Sequence, residues 1–163
     1  PLLGSISTLL NCKEDINVVL GISSPDIKKN IVKTLRKNKF IFFPVLIDPN
    51  AIIGGDNIYI EKGTVVCAGV ILTCNIKIEK FVTLNLYCTV GHDTTIDDFS
   101  SFMPSVNISG EVSIGRKVYV GTGARIINRL DIGDETIIGA GAVVTKDLPG
   151  RCTAVGVPAN IIK

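Results

Sequence analysis

The chain contains one histidine, His92, in the segment Val90-Gly91-His92-Asp93. Imidazole is the side chain that changes charge near neutral pH, so His92 is the natural candidate for proton transfer. The next residue, Asp93, supplies a carboxylate that can orient the ring or support its charged form. Eighteen residues on lies Gly110, whose missing side chain leaves space and whose N–H can face a reacting carbonyl oxygen. The bland alternative is a surface histidine with no role. Other chemistries fare worse. A three-histidine metal site is impossible with one histidine, and no glycine-rich phosphate loop is present. The five cysteines (Cys12, Cys67, Cys74, Cys88, Cys152) are odd in number and show no CxxC pair. They read as small core residues in a reducing cytoplasm rather than as a disulfide framework or a zinc site. Neither a metal nor a covalent enzyme intermediate is expected.

The elements that must position His92 follow from a six-residue period. Read from Ile60, every sixth residue as far as Val144 is Ile, Leu, Val or, at Phe102, aromatic. Four residues after each comes a small or medium side chain, such as Thr64, Cys88, Val106 or Ala124. No helix or hairpin has this beat; a solenoid whose triangular coil uses three six-residue faces does. The aliphatic position and the small position point inward. Glycines after the aliphatic residue (Gly91, Gly115, Gly121, Gly133, Gly139) are expected where the chain bends tightly. Fifteen hexads make five coils, a column roughly 24 Å tall at about 4.8 Å per coil. The less regular stretch from Pro44 to Tyr59 is expected to add a coil at the start. The register places His92 outward, between Cys74 and Gly110 on the neighbouring coils, and beside a column of Asn75, Asp93 and Glu111. Cys74 is therefore the one thiol near the histidine. The faces are flat and uninterrupted by insertions, so a cleft requires two columns side by side, which predicts a homo-oligomer.

Residues 1–43 do not follow the hexad. Ile16 to Ile22 reads as a buried strand, Ser23-Ser24-Pro25-Asp26 as a helix start, and Phe40 to Phe43 as another strand. Ile27, Ile31 and Leu35 would share the apolar face of the helix. The unit is a partial α/β, Rossmann-like segment, too small for a complete doubly wound domain, whose front is expected before Pro1. The expected division is 1–43 for this segment and 44–163 for the solenoid with its tail. The formal charge of the 163-residue chain is +2, so no basic field draws nucleic acid, and the lysines from Lys28 to Lys39 read as a solvated helix face. The longest apolar run, Phe40 to Ile47, holds Pro44 and falls short of the roughly 20 residues that span a bilayer. No membrane partner is expected.

The segments VGHDTTIDDFSSFMPSVNISGEVSIG, VGTGARI, IGDETIIGAGAVVTKD and GVPAN, with LIDPNAIIG near the start, resemble the bacterial sugar O-acyltransferases of the sialic acid O-acetyltransferase type. That family includes N-acetyltransferases acting on nucleotide-linked 4-amino sugars. The resemblance implies a left-handed parallel β-helix, a cytoplasmic homotrimer with sites between adjacent columns, and acetyl-CoA as donor. It implies direct transfer with His92 as general base and Asp93 as its acidic neighbour. Gly110, Thr122 and Ala140 occupy positions that contact the thioester and pantetheine arm, the tail around Gly156-Val157-Pro158-Ala159 packs near the far end of the coenzyme, and Asn85 lies near the acceptor sugar. The chain departs from the pattern at Gly91, where some relatives are acidic, and at Ser101, where some carry a second histidine. O-acetylation of sialic acid or of a surface polysaccharide, and a non-catalytic structural β-helix, are the alternative readings.

Overall fold

The computed structural model describes residues 4–163. Residues Leu46 to Ile161 form a parallel β-solenoid of about six turns. Its three sheets have six strands (Ile52–Ile53 to Val143–Val144), five strands (Ile58–Ile60 to Asp131–Ile132) and eight strands (Leu46–Ile47 to Asn160–Ile161). Strand residues pair with those eighteen positions away: Thr89 and Val90 lie between Ile71 and Leu72 on one coil and Asn107 and Ile108 on the next. The register slips only outside the hexad repeat. One extra residue enters the first coil, where Leu46 pairs with Val65, and two are lost in the last, where Ile137 pairs with Thr153. A short antiparallel hairpin, Thr153–Val155 with Asn160–Ile161, closes the column.

The core follows the expected positions. Ile78, Leu84, Ile96, Phe102, Val120 and Ile138 are wholly buried. The small position is buried as well, and where it is polar its hydroxyl is satisfied by backbone. Ser100 donates to the Gly115 carbonyl (2.8 Å) and accepts from the Val118 N–H (3.0 Å); Thr64 bridges Glu79 and Val82 in the same way.

The tight bends do not fall where the glycines suggested. Every sixth residue from Gly63 to Gly141, three after each aliphatic residue, has a positive φ. Asn75 (+52°), Asp93 (+56°), Glu111 (+59°) and Lys117 (+60°) belong to this series. The glycines one residue after the aliphatic position answer a different need. A Cβ on Gly91 would lie 2.5 Å from the Gly110 nitrogen, and one on Gly121 2.5 Å from the Ala140 nitrogen. They permit close approach between coils rather than bending the chain.

Ahead of the solenoid come α1 (Ile6–Leu10), β1 (Ile16–Asn17), α2 (Pro25–Leu35) and β2 (Ile41–Phe42), with β1 and β2 paired in parallel. The strands are shorter than the sequence suggested. Helix α2 follows Ser24 and has Pro25 in its first turn, as expected, although the Ser24 side chain makes no capping hydrogen bond; its buried face is Lys28, Val32 and Leu35. Ile27, assigned to that face, is 54% exposed. Leu20, Val32, Leu35, Ile41 and Phe43 share a core with Phe81 of the solenoid. Phe81 packs edge-on to Phe43 (5.2 Å) and stacks on Phe99 (5.1 Å), and Gly63 leaves the room its ring occupies.

Lys28 is not part of a solvated face. Its Nζ passes into the interface and donates to Thr83 Oγ1 (3.0 Å), Ser101 Oγ (2.9 Å) and the Ser100 carbonyl (3.5 Å), with the residue 1% exposed. Burial away from any carboxylate pushes the ammonium down from its ordinary value to about 7. The folded chain therefore gives up this proton well below the unfolded chain, which binds more protons above pH 7. Stability is expected to rise with pH from about 7, gently at first and then towards the slope of one proton, on the order of 1 kcal/mol per pH unit. The useful window ends near 8.5. Above it the buried Cys88 thiol, pushed up to about 11, contributes the opposite slope because the unfolded thiol ionises first. Denaturant titrations between pH 7 and 8.5 measure this. Lys28→Met is expected to flatten the slope and raise stability at pH 7; a wild-type stability flat across that range would count against the buried-ammonium account.

Candidate active site

His92 sits at the corner between the six-stranded and five-stranded faces, one residue beyond the strand Thr89–Val90. Its backbone carbonyl is held by two donors, the Glu111 N–H (2.7 Å) and Thr94 Oγ1 (3.3 Å). The positive φ of Asp93 turns the carboxylate back beside the ring, and His92 Nδ1 lies 2.7 Å from Asp93 Oδ2. The hydrogen bonds from His92 and then Asn75 hold the Asp93 carboxyl below its ordinary value, so it is ionised at neutral pH. An ionised carboxylate only accepts, so Nδ1 carries the hydrogen and, in the neutral ring, Nε2 keeps its lone pair. The side chain is 54% exposed on the outside of the solenoid. The pair thus presents an oriented nitrogen base to whatever lies against this corner.

Gly110 is placed above the ring as the register required, but the space is filled. A Cβ there would meet His92 Nε2 at 2.6 Å and the neighbouring ring carbons at 2.8 Å. Glycine lets the imidazole lie flat against the next coil. Among the described residues no protein group accepts from the Gly110 N–H, nor from those of Thr122 and Ala140. Thr122 and Ala140 are exposed and stand one above the other, eighteen residues apart, at the corner between the eight-stranded and six-stranded faces. Asn85 lies near the foot of the same corner, its Oδ1 accepting from the Leu86 N–H (2.8 Å). The structure therefore brings His92, Asp93 and Gly110 together, and places Asn85, Thr122 and Ala140 along the opposite edge of the six-stranded face.

Two features escaped the sequence reading. Asn75 Nδ2 donates to Asp93 Oδ1 (3.0 Å), and Asn57 Nδ2 donates to Asn75 Oδ1 (3.1 Å). Above, Arg129 Nε donates to both oxygens of Glu111 (3.2 Å each) and draws that carboxylate away from Asp93. The signal was present in the eighteen-residue column Asn57, Asn75, Asp93, Glu111, Arg129, which was recognised in part but given no chemistry. Ser101, noted above as a departure from the pattern, is wholly buried beneath α2 and bonded to Lys28. Among the described residues no cluster of His, Cys, Asp and Glu is arranged to hold a metal ion, and no helix is long and apolar enough to cross a membrane.

No model of a protein family matches the chain. Its similarity to individual proteins is extensive. WeeI from Acinetobacter baumannii is 34% identical, with a TM-score of 0.92 over 99% of this chain and 78% of that one. The acetyltransferase domain of PglB from Neisseria gonorrhoeae, solved with acetyl coenzyme A, is 28% identical, with a TM-score of 0.93 over 99% and 78%. Perosamine N-acetyltransferase from Caulobacter crescentus, solved as a histidine-to-asparagine mutant with CoA and GDP-perosamine, is 28% identical, with a TM-score of 0.86 over 90% and 69%. The chain spans 37% and 30% of the length of the first curated relatives it matches, two serine acetyltransferases.

Gly110→Ala tests the geometry without any assay. Gly110 has no positive φ, and the new methyl group meets only a movable ring, so the fold is expected to persist. The resonances of the sole imidazole are expected to shift. A spectrum identical to wild type would mean that the ring does not rest on Gly110.

Proposed function

Because the chain belongs to the hexapeptide-repeat acetyltransferases, we propose that it transfers the acetyl group of acetyl-CoA to the amine of a nucleotide-linked amino sugar, with His92 as general base. The observation that carries this reading is the His92–Asp93 pair, an oriented base on the outside of the column beside an uncommitted backbone N–H. Likeness to enzymes solved with acetyl coenzyme A, or with CoA and GDP-perosamine, supports the donor and the acceptor class.

In this reading His92 Nε2 takes a proton from the acceptor amine as its nitrogen attacks the thioester carbonyl carbon. The Gly110 N–H donates to the oxyanion that forms. Collapse breaks the carbon–sulfur bond, and His92 returns the proton to the departing thiolate. Asp93 stabilises the imidazolium between the two transfers. Thr122 and Ala140 offer N–H groups to the amide-bearing pantetheine arm, and Asn85 contacts the acceptor. Because the two sets of residues lie on opposite edges of one face, each complete site forms between the His92 corner of one chain and the Thr122 edge of the next, in a homotrimer of left-handed solenoids. In this reading the α/β elements between Ile6 and Phe42 contribute to the acceptor site, and residues 44–163 form the catalytic column. Five free thiols are in keeping with a reducing cytoplasm.

Acetyl transfer to GDP-perosamine, measured by CoA release, tests the assignment. His92→Ala is expected to lose roughly 10²- to 10⁴-fold in kcat while acetyl-CoA still raises the melting temperature. Near wild-type turnover would remove His92 from the mechanism. Transfer to free sialic acid but to no nucleotide-linked amine would move the acceptor to a hydroxyl, and absence of any coenzyme-induced shift would leave a structural solenoid.

A further inference from the structure

The acidic partner of the histidine is exposed, and an exposed aspartate on a corner has freedom to leave it. What holds Asp93 lies on the coil below. Asn75 occupies the equivalent corner, with φ +52°, a conformation asparagine tolerates better than most residues, and its N–H is fixed to the Asp56 carbonyl (3.0 Å). Its side-chain oxygen accepts from Asn57 Nδ2 (3.1 Å), which forces its Nδ2 upward onto Asp93 Oδ1 (3.0 Å). The second Asp93 oxygen is left for His92 Nδ1 (2.7 Å). Each oxygen of the carboxylate thus has one donor, and the two donors come from different coils.

The rest of the column protects this arrangement. Glu111 stands directly above Asp93, and two carboxylates in adjacent corners repel. Arg129, one coil higher, binds both oxygens of Glu111. Asparagine below Asp93 adds a donor without a charge; an aspartate there would repel it and a lysine would compete with His92.

We propose that Asn75 is a positioning residue: by clamping one oxygen of Asp93 it turns the other onto His92 Nδ1, and so fixes the sole imidazole as the Nδ1–H tautomer with Nε2 directed outward. The role rests on the general-base reading of His92 for its catalytic meaning, but the tautomer is observable without turnover.

With one histidine in the chain, two-bond ¹H–¹⁵N correlation spectra of the ¹⁵N-labelled protein report that ring alone. Wild type is expected to show a protonated Nδ1 and an unprotonated Nε2 at a pH where the ring is neutral. In Asn75→Ala the Nδ1–H population is expected to fall towards the mixture of a free imidazole, with Asn57→Ala producing a smaller change. The melting temperature, measured in parallel, reports any purely structural effect, which would not select one ring nitrogen. In the acetyl-transfer assay Asn75→Ala is expected to lower kcat roughly three- to tenfold, the worth of one hydrogen bond, with KM for acetyl-CoA unchanged. An Asn75→Ala protein that folds and keeps the wild-type nitrogen pattern overturns the proposal. If instead His92→Ala keeps full turnover, the general-base reading fails while the nitrogen spectra still decide whether Asn75 sets the ring.

Discussion

The structure depends on a backbone conformation that most residues avoid. At every corner from Gly63 to Gly141 one residue takes a positive φ, although only some of these residues are glycine. Each non-glycine corner costs on the order of 1–2 kcal/mol relative to ordinary backbone. The corner persists because it is tied to the coil below: the Asp93 N–H donates to the Cys74 carbonyl, Glu111 to His92, and Lys117 to Asp98. These bonds recur with the period of the coil, so the strain at one corner is offset by a ladder shared with its neighbours. The site inherits its geometry from this constraint. Asp93 reaches the imidazole because its own backbone is turned into the left-handed region, and Asn75 reaches Asp93 because it stands at the same turn one coil lower.

The same corners explain how the first elements attach. Phe81 and Phe99 are corner residues whose side chains point away from the column, where charged and polar residues stand at other corners. Their rings instead pack under Leu35 and Phe43, so the N-terminal elements and the solenoid share one apolar cluster. Lys28 drives a polar group into the adjoining interface. Its three acceptors are neutral, and without a carboxylate they do not fully replace water, which is why burial lowers its proton affinity. Lys117 does the opposite at the rim. Paired with Asp26 of α2 (2.6 Å) and Glu135 (2.8 Å), its ammonium is held above its ordinary value, and it links the start of the helix to the corner beneath.

The hexad was legible because inward positions of a solenoid are repeated identically, so Ile78, Leu84 and Val90 announce one another. The eighteen-residue spacing that follows from it placed Gly110 over His92 and Asn75 beneath Asp93 before any coordinates. What failed was local. The glycine rule assigned the bend to Gly91, whereas the bend is at Asp93 and Gly91 is needed for contact between coils. A charge run suggested a solvated helix, whereas Lys28 points into the interface; the periodicity of Ile27, Ile31 and Leu35 placed Leu35 in the core but could not reveal that Lys28 and Val32, rather than Ile27, complete the buried stripe. The aromatic corners Phe81 and Phe99 were the overlooked sign that something covers that side.

The two rows of candidate groups also limit what one chain can do on the proposed reading. A coil carries its corners at six-residue intervals, so the His92 corner and the corner of Asn85, Thr122 and Ala140 are held apart by a rigid strand of the six-stranded face. Neither can swing towards the other, because each is fixed by bonds to the coils above and below. Gly110 can serve the carbonyl beside His92, yet the free N–H groups suited to an extended amide chain lie around the next edge. A second column, presenting its Thr122 edge to the His92 corner of the first, supplies both without any motion of the backbone. The flatness that leaves a single solenoid without a cleft is then what allows two of them to form one.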